Sequence, residues 1–469
     1  MSLKSSVLIC YLCLLSPIAY ADGLDGSRLS LNWIIPFGAI LLSIALMPIL
    51  FKSLWHHHYG KIIFGWTLVF IGLFNWQFGL SSTMQLVCHA ILTEYIPFMI
   101  LLLALFTISG GILIDSNIKG TPINNTLLLL VGTLLASIMG TTGSAMLMIR
   151  PLIRANEQRQ YRVHIIIFFI FLVANIGGGL TPLGDPPLFI GFLKGVDFIW
   201  TLQQMGLPVL LNTTLLLTSF YIIDRYYYRK ELQPYLNNNS EFLVLNIEGK
   251  YNFILLILVI LTVLMTAIWE TNISIEFLYT SISLSNLIRD LSLIILIILS
   301  LSITTKSLRI RNQFHWHPMI EVAKLFIGIF ITITPVIAIL KAGNEGELSD
   351  MISVVTNSSG EPINNMYFWL SGLLSGFLDN APTYLVFFNL ASGDANILMS
   401  NFPTTLLAIS MGSVFMGALT YIGNAPNIMV KSIANQSNIN MPSFFGYMRW
   451  SISLLIPLFI IDSLVFIRL

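Results

Sequence analysis

Two acidic residues in otherwise apolar stretches are the strongest candidates for chemistry. Asp185 ends a run rich in Gly and Pro, and Asp379 begins the sequence Asp-Asn-Ala-Pro-Thr. A carboxylate in apolar surroundings is costly unless it is paired, protonated or bound to a cation. Because no Lys, Arg or His accompanies them, the two acids suit a small cation or a competing proton. An anion would have to rely on hydroxyls, amides and helix N-termini, with co-bound Na⁺ supplying charge. A third acid, Asp462, lies to one side of the last apolar segment, where we expect a peripheral role.

Hydroxyl and amide groups near the two acids could complete such a site. The candidate neutral ligands are Thr141, Thr142, Ser144, Asn175, Thr181, Asn380, Thr383, Thr420 and Asn424. A structural interpretation is also open, because Asp185 before a proline has the pattern of a helix N-cap, and Asp379 could cap a helix as well. For the hydroxyls, hydrogen bonds to the backbone are an equally ordinary role.

Glycine and proline interrupt the segments that carry these residues. Three consecutive glycines and three prolines lie within residues 177–187, which therefore cannot form a continuous helix. A broken helix exposes N–H and C=O groups whose partial charges can replace the water lost by a bound ion. The residues expected to break the helices are Gly177, Gly178, Gly179, Pro182, Gly184, Pro186, Pro187, Pro382, Gly423 and Pro426.

The composition places these residues in a membrane. Of 469 residues, 56% are hydrophobic and 10% are charged, and the mean hydropathy is +0.82. Charged residues make up about 25% of ordinary soluble chains, so these proportions exclude a soluble enzyme or a nucleic-acid-binding protein. Three cysteines are too few for a disulfide framework. We therefore predict an all-α polytopic membrane protein.

Apolar segments long enough to cross about 30 Å of hydrocarbon predict about ten transmembrane helices. The uninterrupted ones lie near residues 31–51, 62–80, 95–114, 200–223, 252–270, 289–305, 320–341 and 444–467. Two broken helices, 164–193 and 403–430, contain the Gly and Pro residues. The segments 123–149 and 365–390 carry polar residues at their centres. They predict two re-entrant hairpins, which enter and leave the membrane on one side.

Basic residues support this arrangement. When the segments alternate from an outside start at Asp22, 16 of the 23 Lys and Arg residues fall on the inner side. The outer loop 342–366 is acidic. This distribution follows the positive-inside rule. If the hairpins crossed the membrane fully, the basic cluster between Arg150 and Arg162 would fall outside.

The domain boundaries follow from these segments. Residues 1–21 have the pattern of a secretory signal peptide, with an uncleaved first helix as the alternative. The remaining units are N-terminal scaffold helices (22–94), a first repeat (95–223), a cytoplasmic loop (224–251) and a second repeat (252–469).

The two repeats are detected as an internal similarity at an offset of 239 or 240 residues. In this alignment Ser144 corresponds to Thr383, and Asp185 corresponds to Asn424. Because the predicted topology places the two hairpins on opposite sides, the repeats have inverted topology. Transporters with inverted repeats bind substrate and coupling ions near the midplane, where broken helices meet. The matching stretches are 120–125 with 360–365 and 180–187 with 419–426.

These motifs resemble those of the ion transporter superfamily, which includes NhaD-type sodium/proton antiporters, arsenite permeases, citrate transporters and divalent-anion/sodium symporters. Residues 174–185 are similar to the NhaD-type stretch Asn-x-Gly-Gly-Ala-Trp-[Ser/Thr]-Pro-Ile-Gly-Asp, and residues 378–382 are similar to its Val-Asp-Asn-Val-Pro hairpin. The resemblance covers residues 30–467 in architecture. It implies that each hairpin and broken helix line one site, that a transport domain moves against a scaffold, and that the protein is a homodimer.

The first hairpin departs from the NhaD-type pattern. NhaD-type proteins carry Asp-Asn where this chain has Gly140 and Thr141, so one expected acid of a sodium site is missing. The following Thr-Gly-Ser is instead similar to the hydroxyl-rich hairpins of the carboxylate-transporting branches. The chain therefore also resembles the citrate transporters of the superfamily.

We predict a secondary active transporter of a bacterial-type inner membrane, first of all a Na⁺/H⁺ antiporter in which Asp185 and Asp379 alternately bind a proton or Na⁺. The alternative is an ion-coupled transporter of citrate or another carboxylate, in which hairpin hydroxyls and amides bind the substrate and Asp379 serves the coupling ion. A metalloid permease and an intramembrane aspartyl protease are further alternatives. We expect Na⁺ and H⁺ as transported or coupling ions and no cofactor. The expected partners are the lipid bilayer, a small inorganic cation or carboxylate, and a second copy of the chain, but no nucleic acid.

Overall fold

Helices dominate the computed structural model of the chain. It describes residues 24–231, 245–269, 273–357 and 359–467, so the predicted signal peptide lies outside the described residues. Within them, seven helical stretches are long and apolar enough to cross a membrane. Large apolar side chains such as Trp76, Leu80 and Phe64 are mostly exposed on the surface. Lipid stabilises such a surface and water does not, and the chain is a multi-pass membrane protein.

The apolar segments fold as helices because each backbone group in a bilayer must find its hydrogen-bond partner within the protein. The α-helices are Ile35–Leu50, Lys52–His89, Ile96–Ser109, Pro122–Ala155, Val163–Leu172, Pro186–Leu193, Phe198–Arg229, Tyr251–Ile268, Leu284–Ile303, Lys306–Arg311, His317–Lys341, Ser349–Val355, Asn364–Phe377, Asn380–Ala391, Ala395–Ser400, Pro403–Phe415, Ala425–Gln436 and Phe444–Asp462. Shorter 3-10 and π-helical turns are Gly26–Arg28, Leu31–Ile34, Ala90–Tyr95, Ile176–Gly179, Gly343–Glu345, Met416–Leu419 and Ser463–Ile467.

The segment Pro122–Ala155 is helical on both sides of Gly140 but folds back at that residue. Gly140 has a φ of 78°, which interrupts the helix. Ser144 Oγ donates to the carbonyl of Gly132 at 2.7 Å, although twelve residues of straight helix would separate them by about 18 Å. At the open end, Asn125 and Asn156 donate to each other. The segment therefore has the shape of a hairpin with its tip at Gly140.

A second pair of helices has the same shape. Helix Asn364–Phe377 is followed by Leu378 and Asp379, and helix Asn380–Ala391 begins directly after them. The rings of Tyr367 and Phe387 lie 6.2 Å apart, so residues far from the turn contact each other. The two legs are therefore packed side by side.

Both segments that we expected to be broken are broken. In the first, helix Val163–Leu172 is followed by the turn Ile176–Gly179 and then by helix Pro186–Leu193. In the second, Pro403–Phe415 and Met416–Leu419 precede helix Ala425–Gln436 in the same order. Each break brings the start of a new helix into the interior of the protein.

Loops that the charge pattern assigns to the same side lie together. On the inner side, Arg154 Nη1 lies 3.1 Å from Asp115 Oδ1, and Arg162 Nη2 lies 3.4 Å from the carbonyl of Asn438. On the outer side, the backbone N–H of Leu31 donates to Glu347 Oε2 at 2.7 Å. Segments far apart in the chain thus meet at two ends of the helical bundle.

Several elements differ from the predicted ones. The predicted spans 62–80 and 95–114 lie in one helical stretch, His57–Ser109, which is interrupted by a φ of 81° at Gly79. Helix Phe198–Arg229 continues beyond the predicted end at residue 223, because Asp224 is paired inside the protein. The first residues of the predicted cytoplasmic loop are therefore helical.

Two short antiparallel ribbons were not predicted. Leu113–Ser116 pairs with Leu245–Glu248, and Ser274–Phe277 pairs with Thr280–Ser283. Four-residue strands show too little alternation to be detected from a sequence. The first ribbon connects the loop after helix Ile96–Ser109 to the chain beyond residue 244.

Candidate functional site

Asp185 lies at the N-cap position of helix Pro186–Leu193, but its side chain does not cap that helix. Its backbone is extended, with φ −142° and ψ 145°, and its carboxylate accepts no hydrogen bond from the first helical turn. The two prolines that begin the helix lack N–H groups, so there is little to cap. The capping interpretation of Asp185 is therefore wrong.

Three neutral side chains donate hydrogen bonds to the Asp185 carboxylate. Thr141 Oγ1 lies 3.0 Å and Asn424 Nδ2 lies 3.2 Å from Oδ1, whereas Asn380 Nδ2 lies 2.5 Å from Oδ2. All four side chains are buried. We call Thr141, Asp185, Asn380 and Asn424 the central cluster. Hydrogen bonds to a charged group offset part of the cost of burying it.

Each residue of the central cluster lies at the start of a helix. Thr141 follows the turn at Gly140, and Asn380 is the first residue of the returning leg of the second hairpin. Asp185 and Asn424 hold the N-cap positions of the helices that follow the two breaks. A helix N-terminus carries a partial positive charge. Four such ends meet around one carboxylate, so this place favours negative charge.

The central cluster combines residues at equivalent positions of the sequence repeat. Asp185 and Asn424 are 239 residues apart, and Thr141 and Asn380 have the same separation. Both hairpins and both breaks therefore contribute one residue each to a single cluster. The repeat alignment paired Asp185 with Asn424 but gave no indication that the two side chains touch.

Hydrogen bonds at the breaks also correspond at this offset. Thr181 Oγ1 donates to the carbonyl of Ser137 at 2.5 Å, and Thr420 Oγ1 donates to the carbonyl of Gly376 at 2.6 Å. Each hydroxyl also accepts a hydrogen bond from the backbone N–H two residues further on. Thr181 and Thr420 thus attach each break to a leg of the hairpin that precedes it.

Asparagines form a layer next to the central cluster. Asn175 Nδ2 donates to Asn427 Oδ1 at 2.8 Å, and Asn424 Nδ2 lies 3.3 Å from Asn175 Oδ1. The Asn427 amide in turn donates to the carbonyls of Gly417 and Thr420, each at 2.9 Å. These contacts connect the two breaks to each other.

Asp379 lies beside the central cluster and caps its own helix. Its carboxylate accepts the backbone N–H of Ala381 at 3.1 Å, and its carbonyl accepts the hydroxyl of Thr383 at 2.7 Å. The following residue, Asn380, reaches Asp185. The capping interpretation is therefore confirmed for Asp379, whose half-buried side chain borders the cluster.

The two remaining hydroxyls of the first hairpin lie behind its tip. Ser144 donates to the carbonyl of Gly132 and so closes the two legs on each other. Thr142 is half-buried beside the turn. Neither hydroxyl contacts Asp185, and of the three predicted in this hairpin only Thr141 belongs to the cluster.

Close packing explains why glycine occurs at the breaks. A Cβ atom at Gly178 would lie 2.6 Å from Thr141 Cγ2, and one at Gly184 would lie 2.3 Å from the carbonyl oxygen of Gly178. The second break has the same arrangement, since a Cβ at Gly423 would lie 2.5 Å from the carbonyl oxygen of Gly417. The other predicted helix-breaking residues lie at the same turns or in the first helical turn after them: Gly177, Gly179, Pro182, Pro186, Pro187, Pro382 and Pro426.

No basic side chain pairs with either central acid among the residues that the structure describes. The ion pairs within this part of the chain lie at the two ends of the bundle. The acids at the centre are therefore surrounded by amides, hydroxyls and helix ends alone, as the sequence indicated.

Two sets of buried polar residues were not among the predicted site residues. Asn427, at the end of the second break, was not predicted as a ligand, although its position three residues after Asn424 places both on one helix face. The second set lies at the inner end, where Asp224 accepts from Arg159 at 2.7 Å and lies 2.8 Å from His164 Nε2. This buried set connects the foot of the first hairpin to two neighbouring helices.

Comparison with known proteins identifies a family that covers nearly the whole chain. The model of a family described as "Putative citrate transport" matches residues 26–467. This range contains both hairpins, both breaks and the whole central cluster. No curated protein matches the chain significantly.

Proposed function

The chain belongs to this citrate transport family, and on that premise we propose that it is a secondary active transporter that moves citrate or a related carboxylate together with a coupling ion. The observation that carries the proposal is the meeting of four helix N-termini at the central cluster. Their partial positive charge, with hydroxyl and amide donors, is the environment that binds a carboxylate where no Lys or Arg is present.

The Asp185 carboxylate and a substrate carboxylate require the same donors. Thr141, Asn380 and Asn424 already donate to Asp185. A cation or proton that neutralises Asp185 weakens these hydrogen bonds and leaves the donors to the substrate. Binding of the coupling ion and of the substrate would then favour each other, as symport requires. Asp379, at the edge of the cluster, is the second candidate for the coupling ion.

The transport cycle that we propose uses two repeats of inverted topology. The corresponding hydrogen bonds at the two breaks support this arrangement, as does the distribution of basic residues, which predicts that the feet of the two hairpins lie on opposite sides. Each hairpin and its break would then close one side of the central cluster in turn. We further propose a homodimer in a bacterial-type inner membrane, as the resemblance implies.

Na⁺/H⁺ antiport, our first expectation, is not confirmed, since the family match supports carboxylate transport. The observation that still favours it is that neither central acid has a basic partner among the described residues. No comparable observation on the described residues favours a metalloid permease or an intramembrane protease.

Purified protein in proteoliposomes with an internal pH dye separates the two ion-transport functions. We expect labelled citrate to accumulate when an inward Na⁺ or H⁺ gradient is applied, and to remain at background without one. A Na⁺ pulse that releases protons in the absence of any carboxylate, together with background citrate uptake, would support antiport and overturn the proposal. Empty liposomes are the control.

A further inference from the structure

Among the residues that the structure describes, one buried carboxylate outside the central cluster has a single amide as its hydrogen-bond partner. Asp462, at the end of helix Phe444–Asp462, has 0% of its surface exposed. Its two oxygens lie 2.8 and 3.0 Å from Asn212 Nδ2, on helix Phe198–Arg229. The expectation of a peripheral role does not explain a carboxylate buried between two membrane helices, where such a group is costly.

No charged side chain compensates Asp462 among the described residues. It takes part in none of their ion pairs. On the elements packed around it, Pro403–Phe415 and Met416–Leu419 carry no titratable residue, and Asn364–Phe377 carries Tyr367 alone. On helix Phe198–Arg229 the titratable residues begin at Tyr221, nine positions from Asn212, or about 13 Å along the axis. Its own helix carries Tyr447 and Arg449, more than ten positions away.

The amide of Asn212 has an orientation that leaves one of its own atoms unsatisfied. Its Nδ2 donates to the carbonyl of Pro208 at 2.8 Å as well as to Asp462. Its Oδ1 is buried and has no hydrogen-bond partner within the described part of the chain. A buried acceptor without a donor costs about 1–3 kcal/mol, which the hydrogen bonds of Nδ2 to Asp462 and Pro208 offset in this orientation.

We propose that Asp462 and Asn212 form a proton-binding site that is separate from the central cluster. In the charged state the carboxylate accepts the Asn212 N–H, as observed. When a proton binds to one oxygen of Asp462, the amide turns over: its Oδ1 accepts the new O–H, and its Nδ2 gives up the hydrogen bond to the carbonyl of Pro208. The acceptor that is unsatisfied in the charged state thus gains its donor in the protonated state.

The geometry favours a proton over a metal ion. The amide nitrogen lies within 3.0 Å of both carboxylate oxygens and occupies the position where a cation would bind to the pair. A metal ion also needs several oxygen ligands. Within the described part of the chain, no group of three acidic, His or Cys side chains could hold one.

The site lies next to a hydrogen-bonded contact between the last helix and the second hairpin. Ser463, the residue after Asp462, donates through its hydroxyl to Asn365 Oδ1 at 2.7 Å. Asn365 lies in the first turn of the leg that ends beside Asp379. Protonation of Asp462 therefore changes the charge next to Ser463, whose hydrogen bond to Asn365 holds the foot of this hairpin.

Infrared difference spectra between alkaline and acidic buffer test the site directly, using the full-length protein in lipid without substrate. We expect the wild type to gain the C=O band of a buried protonated carboxyl group, and Asp462→Asn to lose that band while remaining folded, because Asn preserves the shape. Asp115→Asn, which changes an exposed acid at the inner end, is the matched control and should keep the band.

A second variant tests the role of the amide. Asn212→Leu removes the donor to the charged form, so the same band should persist to a higher pH than in the wild type. The proposal is overturned if Asp462→Asn retains the full set of titrating C=O bands, or if Asn212→Leu titrates like the wild type. Because no carboxylate is added, failure here is distinct from a failure to transport citrate.

Discussion

The amide of Asn424 donates a 3.2 Å hydrogen bond to the carboxylate of Asp185, although 239 residues separate them. The two residues hold equivalent positions, each preceding the helix that follows a break. One of them is an acid and the other its neutral amide. The two halves of the chain therefore build one cluster with a single charge at its centre, and the charge comes from the first half.

Replacing the central carboxylate should abolish transport. In Asp185→Asn, a neutral amide takes the place of an acceptor that receives three hydrogen bonds, and no acid remains there to exchange a coupling ion. We expect citrate uptake into proteoliposomes to fall at least about tenfold, the effect of losing roughly 1.4 kcal/mol.

Asp197→Asn is the matched control, because Asp197 is exposed and caps the next helix through Ile199, a role that Asn can also fill. It should transport like the wild type. If Asp185→Asn did so too, the central role of Asp185 would be wrong.

The turn of the first hairpin should tolerate no side chain. Gly140 has a φ of 78°, and its nearest neighbour for a Cβ, the carbonyl oxygen of Leu183, is at an ordinary 3.5 Å. The cost of Gly140→Ala therefore comes from the backbone conformation, about 1–2 kcal/mol. We expect a lower melting temperature of the detergent-solubilised protein.

Gly206→Ala serves as the comparison for this variant. Gly206 lies within helix Phe198–Arg229 with open space around it, so Ala should be neutral or stabilising there. Equal melting temperatures of the two variants would contradict the turn geometry.

Arg309 should be important for stability rather than for transport. Its guanidinium donates to the carbonyls of Thr107 and Ser300, which lie near the C-termini of two helices, at 2.9 and 3.0 Å. Arg309→Ala leaves buried carbonyls unpaired and should lower the free energy of unfolding by about 2 kcal/mol. This variant should unfold at a lower temperature than Lys306→Ala, a change at an exposed neighbour. Unchanged unfolding would show that other donors replace the guanidinium.

The inverted repeats predict opposite accessibility of two equivalent positions. Lys119 and Ser359 directly precede the matching glycines at the feet of the two hairpins. With the native cysteines replaced by Ser, Lys119→Cys should react with an impermeant thiol reagent from the inside only. Ser359→Cys should react from the outside only. Labelling of both from one side would contradict inverted topology.

Much of the fold could be predicted because its signals are strong and local. Apolar length indicated the helices, and the glycines with Pro186 and Pro187 indicated the first break. Ribbons of four residues and the extension of helix Phe198–Arg229 to Asp224 could not be predicted, because both depend on partners distant in the sequence. An acid such as Asp224, when it is paired with a residue distant in the sequence, can lie inside a helix that its charge would otherwise be expected to end.

The candidate site was predicted in its residues but not in its contacts. Asp185 and Asp379 look alike in the sequence, as acids in broken apolar segments. In the structure their roles differ, because Asp379 caps its helix while Asp185 accepts hydrogen bonds from side chains of three other segments. Asp462 lies in neither matching stretch of the repeat and in no motif, so its burial against Asn212 could not be predicted.

The most direct test of the account is citrate binding to the purified protein, measured by titration calorimetry. Asn380→Ala removes one donor of the central cluster, and Asn389→Ala removes a buried amide in the same helix that donates to the carbonyl of Leu385. The account predicts that citrate binds the wild type and Asn389→Ala equally, and binds Asn380→Ala at least about tenfold more weakly. Absence of citrate binding to the wild type, or equal binding by all three proteins, would contradict it.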